Sequence, residues 1–295
     1  MTIDFHVHTF PPDIVADRER YFDAEPVFRA LYGHSKARLV DTDKLLEFMD
    51  QNGVHAAVIF GFPWKQQDTA RRHNDYVLES AARAPQRLIP LACFDPLAPW
   101  AVKEASRCLE LGAAGLGELA VYEGCEEDQA VRAYEALMAL CRSPKRLLLL
   151  HANEPVGHAY PGKAPFGVRF YYQLAALCRD VPLILAHWGG GLFFYELLKK
   201  EAPETLAHVF YDTAASPFLY RSAVYRQAID IVGFERILFG SDYPLLPPSR
   251  YEKDMDEAGL NAGEKAAILG GNAARLLTQE DLALPSRLGA SLAHP

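Results

Sequence analysis

Six residues able to ligate a divalent cation recur at one kind of place along this chain: His6, His8, Glu118, His151, His187 and Asp242. Each ends or directly follows a short apolar run, where a buried core would ordinarily carry Val, Ile or Leu. His6-Val7-His8 has a grip of its own, because residues i and i+2 of a strand face the same side. Two histidines opening a polar loop would give the same letters, so the pair gains meaning from the recurrence of His and Asp at similar places further on. Imidazoles and carboxylates converging on one cavity are a ligand set for Zn²⁺, with Mn²⁺ as the second choice, as one or two ions. Asp242 can in addition take a proton from a metal-bound water, whose pKa the ion lowers toward about 7. His187 can polarise a carbonyl or act as acid or base. Glu118 has two readings, a ligand or an acceptor that orients a ligand histidine.

The elements that must position these groups are short apolar runs alternating with amphipathic stretches. The spacing predicts strands over Ile3–His6, Ala56–Gly61, Leu88–Phe94, Ala114–Ala120, Leu147–Ala152, Leu183–His187, Val209–Thr213 and Ile237–Ser241. Helices are predicted over Asp41–Asn52, Pro99–Leu111 and Ser216–Val232, stopped by Gly53, Gly112 and Gly233. Roughly 34 residues separate successive strands, the period of a strand followed by a crossover helix. Eight such units predict an α/β, single-domain (β/α)₈ TIM barrel over residues 1–277, for which about 250 residues is typical. A doubly wound sheet would want a glycine-rich phosphate turn after its first strand, where His-Val-His-Thr-Phe-Pro-Pro stands instead. All six candidate ligands then fall on the C-terminal rim, where barrel active sites are built. The segment Thr9–Val40 is a long loop after the first strand, expected to cap that mouth. Residues 278–295 read as a loosely held tail.

Composition narrows the partners. Half of the 295 residues are apolar, and 30 Lys and Arg face 38 Asp and Glu, a net charge of −8. That balance gives no phosphate-neutralising surface, which excludes nucleic acid and anionic membrane and leaves a small-molecule substrate, with a homo-oligomer open. Five cysteines without a CxxC pair argue against a disulfide framework and fit a cytoplasmic protein. No run approaches the length of a membrane span. His158, Tyr160 and Lys163, in the Pro- and Gly-punctuated segment after His151, are candidates to bind an anionic substrate group, as are Arg38 and Arg169. His55 and His208 precede strands and fall at the opposite face, His73 sits on an exposed helix pattern, and Cys93 reads as a core thiol. Gly189–Gly191 is expected to let the backbone turn closely over the rim.

Taken together, Asp4-Phe5-His6-Val7-His8, Leu149-Leu150-His151, Ala186-His187-Trp188-Gly189-Gly190-Gly191, Tyr211-Asp212-Thr213, Phe239-Gly240-Ser241-Asp242-Tyr243-Pro244 and Gly271-Asn272-Ala273-Ala274-Arg275-Leu276 resemble the amidohydrolase superfamily, in its amidohydrolase-related branch. The resemblance implies that His6, His8, His151 and Asp242 bind metal and that His187 ligates a second ion or works on substrate. Members that bridge two ions through a carboxylated lysine carry it where Glu118 stands here, so both one and two ions stay open. The expected activity is metal-dependent hydrolysis of a lactone, ester or amide, with Asp242 shuttling the proton and His187 stabilising the oxyanion. Its alternative is non-oxidative decarboxylation of an aromatic or unsaturated acid, and a second alternative is a catalytically silent binding barrel. Glu118 is taken to favour hydrolysis.

Overall fold

A parallel strand buried on both faces reads as an unbroken apolar run, and Leu147–Leu150 shows why: every one of its side chains is fully buried. Leu147 and Leu149 belong to the cluster inside a closed sheet, while Leu148 and Leu150 pack outward against the helical layer. The computed structural model describes residues 1–279 and 281–284. Its eight strands are β1 (Thr2–His8), β2 (Val54–Phe60), β3 (Leu88–Ala92), β4 (Gly115–Leu119), β5 (Leu147–Leu150), β6 (Leu183–Leu185), β7 (Val209–Asp212) and β8 (Ile237–Leu238). All neighbouring pairs are parallel and in chain order. The ring closes where Phe5 N donates to Phe239 O at 2.7 Å and His8 N to Tyr243 O at 2.9 Å. This is the expected TIM barrel. It matches the expected strands in place and number, although β8 is only two residues long.

Two irregularities decide which side chains reach the interior. The register of β1 on β2 shifts between Asp4 and Val7. Ile3 and Phe5 therefore lie in the interior cluster and Val7 in an outer one, and the shift brings His6 and His8, of the other parity, inward. The register of β4 on β5 shifts between Leu116 and Leu119. Gly117, at φ +149°, lies there against β5, and a Cβ on it would stand 2.7 Å from Leu149 Cβ.

Helices Thr42–Gln51 and Ala101–Glu110 fill most of the spans expected for them, the first capped by Asp41 accepting from Lys44 N at 2.9 Å. The helix expected over Ser216–Val232 is instead two, Ser216–Leu219 and Val224–Val232. Thr9–Val40 contains two short α-helices, Pro12–Ala16 and Pro26–Tyr32, with a 3-10 helix, Arg18–Tyr21, between them. Phe28 of the second is fully buried, 4.5 Å from Trp64 ring to ring. Residues 281–284 correct the expectation of a loose end: Leu282 is buried and Ala283 N donates to Lys145 O at 2.9 Å. Residue 280 and residues 285–295, His294 included, lie outside the described residues. No helix among the described residues is long and apolar enough to cross a membrane.

Candidate metal centre

Each of three histidine rings is fixed by an acceptor on its Nδ1. His6 Nδ1 meets Asp212 Oδ2 at 2.9 Å, His8 Nδ1 meets Gly61 O at 2.9 Å, and His187 Nδ1 meets Ala214 O at 3.0 Å. An oxygen acceptor there puts the ring proton on Nδ1 and leaves the Nε2 lone pair free, which is how proteins orient metal-binding histidines. The freed Nε2 atoms converge. His6 Nε2 and His8 Nε2 both lie 3.7 Å from Glu118 Oε2, and 3.8 and 3.5 Å from Asp242 Oδ1. His187 Nε2 is 3.4 Å from Glu118 Oε1. His151 Nδ1 is 2.9 Å from Glu118 Oε1, and its Nε2 2.9 Å from Gly162 O. In three overlapping sets, ligand atoms of these six residues lie within 4.8 Å of one another.

The chemistry of this donor set fits a cation. His6 Nε2 is buried without a hydrogen-bond partner, a costly state that a positive ion between the imidazoles and carboxylates would relieve. Titration behaviour carries the same message. Burial opposes charge on His6, yet Asp212, Glu118 and Asp242 outweigh it and push its pKa up to about 10. His187 rises to about 9 against burial, through Glu118 and Asp242. Glu118, which burial alone would raise, is held well below the usual carboxylate range by His6 and His151. His8 moves down, opposite to His6 and His187, burial prevailing over Asp242 and Glu118.

Local backbone delivers these groups at some cost. His187 and Asp242 sit at φ 54° and 55°, a left-handed conformation unfavourable to residues other than glycine and characteristic of functional sites. Trp188 to Gly191 continue in the same region. A Cβ at Gly190 would stand 2.2 Å from Asn153 O, the close turn over the rim expected of this glycine run.

Two buried carboxylates were not expected at the site. Asp212 accepts from His6 through Oδ2 and, through Oδ1, from the N–H of His187 and of Ala214, each at 3.0 Å. Asp4 accepts from His6 N at 3.1 Å and from the N–H and hydroxyl of Ser241. Burial pushes its pKa up to about 7 against these hydrogen bonds. Both stand in the quoted motifs, but the partners that tie them to the site, Ser241 for Asp4 and His6 for Asp212, are distant in sequence. Tyr32 and Tyr122 were also missed: the Tyr122 ring lies 5.3 Å from that of His151, and the charges of Asp242 and Glu118 reach both phenols.

The expected substrate-binding side chains lie in and around the loop after β5 and at the surface. Lys163 Nζ is engaged by Glu154 at 3.2 Å and Val156 O at 2.7 Å, and the Tyr160 hydroxyl donates to Glu154 at 3.0 Å. His158 and Arg38 are exposed, and Arg169 is exposed beside Glu127. His73 corrects the expectation of an exposed position. It is buried, accepts from Trp64 Nε1 at 2.8 Å and meets Thr9 O at 2.6 Å, and burial lowers its pKa to about 4. Cys93 is a buried thiol donating to Glu118 O at 3.0 Å.

A family model described as amidohydrolase matches residues 3–278. No protein of curated function matches the sequence. Solved structures do. A 5-carboxyvanillate decarboxylase from Sphingomonas paucimobilis is 21% identical at TM-score 0.68, over 93% of this chain and 98% of that one. A dihydroxybenzoic acid decarboxylase from Polaromonas, with bound manganese and the inhibitor 2-nitroresorcinol, is 20% identical at TM-score 0.66, over 95% and 98%. A 2,6-dihydroxybenzoate decarboxylase from Rhizobium is 20% identical at TM-score 0.63, over 93% and 98%. These neighbours correct the expectation of a lactone, ester or amide hydrolase: similar structures are mostly decarboxylases of aromatic acids, which favours the alternative. The weight placed on Glu118 as a mark of hydrolysis goes with it. Here Glu118 approaches four histidines at once, a role that carries no preference for water as nucleophile.

Proposed function

We propose that this chain, which belongs to the amidohydrolase family, is a metal-dependent non-oxidative decarboxylase of an aromatic or unsaturated carboxylic acid. The observation that carries the reading is the cage of Nε2 atoms and carboxylates on a barrel whose structural neighbours over nearly its full length are mostly decarboxylases. His6, His8, His151, His187, Glu118 and Asp242 would hold the ion, Mn²⁺ as in the Polaromonas neighbour or Zn²⁺. When bound, the ion supplies positive charge against which the substrate carboxylate and a neighbouring oxygen are oriented.

Asp242 is the proton donor in this reading. Asp212, Asp4 and Glu118 are each engaged by donors of the protein, whereas Asp242, at the left-handed turn after β8, only approaches His6 and His8 at 3.8 and 3.5 Å and keeps 19% of its side chain exposed. As the bond to the departing carboxylate breaks, its electron pair stays on carbon. A proton from Asp242 completes the C–H bond, CO₂ leaves, and solvent returns a proton to Asp242. Asp212 keeps the His6 ring and the His187 backbone in place. Phe60, whose ring lies 5.0 Å from His6 and 4.8 Å from His8, helps to exclude water.

The test incubates Mn²⁺-loaded protein with a panel of hydroxylated benzoic acids and follows CO₂ release and the phenolic product. Metal-dependent release from at least one acid is expected. No release from any acid, by protein shown to carry metal, would overturn the reading.

A further inference from the structure

His73 is buried where the helix Gln67–Arg83 meets the barrel, a place an apolar side chain would ordinarily fill. Both of its ring nitrogens are in use. Trp64 Nε1 donates to Nδ1 at 2.8 Å, which puts the ring proton on Nε2, where it is donated to Thr9 O at 2.6 Å. Thr9 directly follows His8. The same helix grips Thr9 a second time: the Thr9 hydroxyl lies 3.3 Å from that of Thr42, which lies 2.7 Å from the hydroxyl of Ser80, two turns along from His73.

The ring bears on His8 from another side as well. Gly61 O holds His8 Nδ1 at 2.9 Å, and a Cβ on Gly61 would stand 2.8 Å from Cε1 and Nδ1 of His73. So close an approach makes the ring and the Gly61 backbone one packed contact, in which neither moves without the other. His8 is thus held by Gly61 at its ring and by Thr9 in its main chain, and His73 touches both. The wedge is itself fixed from behind. Trp64 is fully buried, 4.5 Å from Phe28 and 5.0 Å from Phe62 ring to ring, and Phe10 lies 5.0 Å from His73.

We infer that His73 is a positioning residue of the metal centre, a wedge that fixes the Gly61 carbonyl and the main chain after His8, and through them the direction of His8 Nε2. The inference rests on the metal-dependent reading above and adds to it a residue outside the donor set. An apolar side chain in its place would leave the Trp64 N–H and the Thr9 carbonyl buried without these partners and would release the Gly61 contact. A Gln amide carries one acceptor and one donor, as the neutral ring does, and can serve both partners.

Calorimetric titration of the full chain, stripped of metal by chelator, tests this without any need for turnover. The probe is Mn²⁺, or Zn²⁺ where the wild type takes up no Mn²⁺. His73→Leu should bind the ion about 10-fold more weakly than the wild type, the lower end of what loss of an orienting partner costs, because the effect passes through Gly61 and Thr9. His73→Gln should stay within about threefold of the wild type. Leu137→Ala is the control, a fully buried change on the helix Glu127–Leu140 that enters none of these contacts; it should lower the unfolding temperature and leave the affinity within about twofold. Should His73→Leu fail to fold, Trp64→Phe takes its place, since it keeps an aromatic ring and removes the donor to Nδ1, with an expected loss of about threefold. An affinity within about twofold of the wild type in His73→Leu, or in Trp64→Phe where the former does not fold, would overturn the inference. So would an equal loss in Leu137→Ala, which would make the effect one of general destabilisation, or in His73→Gln, which would deny the hydrogen bonds their part. Each of these results leaves the decarboxylase reading standing. If the wild type bound neither ion, the metal-dependent reading and the inference would fall together.

Discussion

Replacing Asp212 by Asn tests whether the orientation of His6 controls the metal centre. Asp212 uses both oxygens: Oδ1 accepts from two backbone N–H groups at 3.0 Å, and Oδ2 accepts from His6 Nδ1 at 2.9 Å. An amide has only one acceptor oxygen. That oxygen must stay with the two backbone donors, which leaves the NH₂ group facing His6. The imidazole can then remain hydrogen-bonded only as an acceptor at Nδ1, with its proton moved to Nε2, the atom that points at Glu118 and Asp242. One ligand lone pair is thereby lost. Changes to such orienting partners weaken metal affinity by about 10- to 100-fold. At a free Mn²⁺ concentration of about 100 times the wild-type Kd, metal stabilises the wild type by about 2.7 kcal/mol. The same concentration should stabilise Asp212→Asn by only about 1.4 kcal/mol for a tenfold loss, or about 0.4 kcal/mol for a hundredfold loss. Urea unfolding with and without Mn²⁺ measures this difference within each protein, so that any change in metal-free stability cancels. A metal-induced stabilisation within about 0.3 kcal/mol of the wild type would refute the tautomer argument.

Three further outcomes follow from the geometry. Asp242→Asn keeps an oxygen near the metal but cannot give up a carboxyl proton, so kcat should fall by about 10² or more while bound metal, measured by elemental analysis, falls less. His73, whose pKa burial lowers from 6.5 to about 4, binds its proton more readily in the unfolded chain; its contribution is therefore complete above pH 6.5 and is lost as pH falls toward 4. That loss amounts to about 3 kcal/mol, and unfolding free energies at pH 7 and pH 4 should differ less in His73→Gln than in the wild type. Gly190→Ala would put a Cβ at 2.2 Å from Asn153 O in a left-handed backbone, which should lower stability by about 2 kcal/mol or more and weaken metal binding through His187, both readable by thermal unfolding with and without Mn²⁺.

The barrel was legible because its strands are buried on both faces, and runs such as Leu147–Leu150 announce this without any knowledge of partners. The spacing of His6 and His8 suggested a shared side, and the register shift in β1 is what turns that side inward against the parity of Ile3 and Phe5. Such a shift is a property of pairing between strands and leaves no mark in local composition. Asp212 stood in plain view within Tyr211-Asp212-Thr213, but its role is a contact across 206 positions, which spacing cannot reveal. His73 was misread because its helix carries Asn74 and Ser80 on the buried side, so the apolar stripe that normally marks that side is broken. The charge of Lys163 is visible in sequence, whereas its pairing with Glu154, nine positions away, is not.

The closure of the barrel bears on when the centre can exist at all. Asp4 and Ser241, whose backbone and side chains join the first strand to the turn after the last, lie 237 positions apart, and His6 and Asp242 are separated by nearly the whole chain as well. Bringing such distant segments together carries a loop-closure entropy that no earlier pairing of neighbouring strands removes unaided. A chain still emerging from the ribosome holds His6 and His8 long before Asp242, and has no Asp242 to set against them until the eighth strand has been made. An ion held by these residues would therefore require the closed ring, and by binding it would act as a clasp between first and last strands.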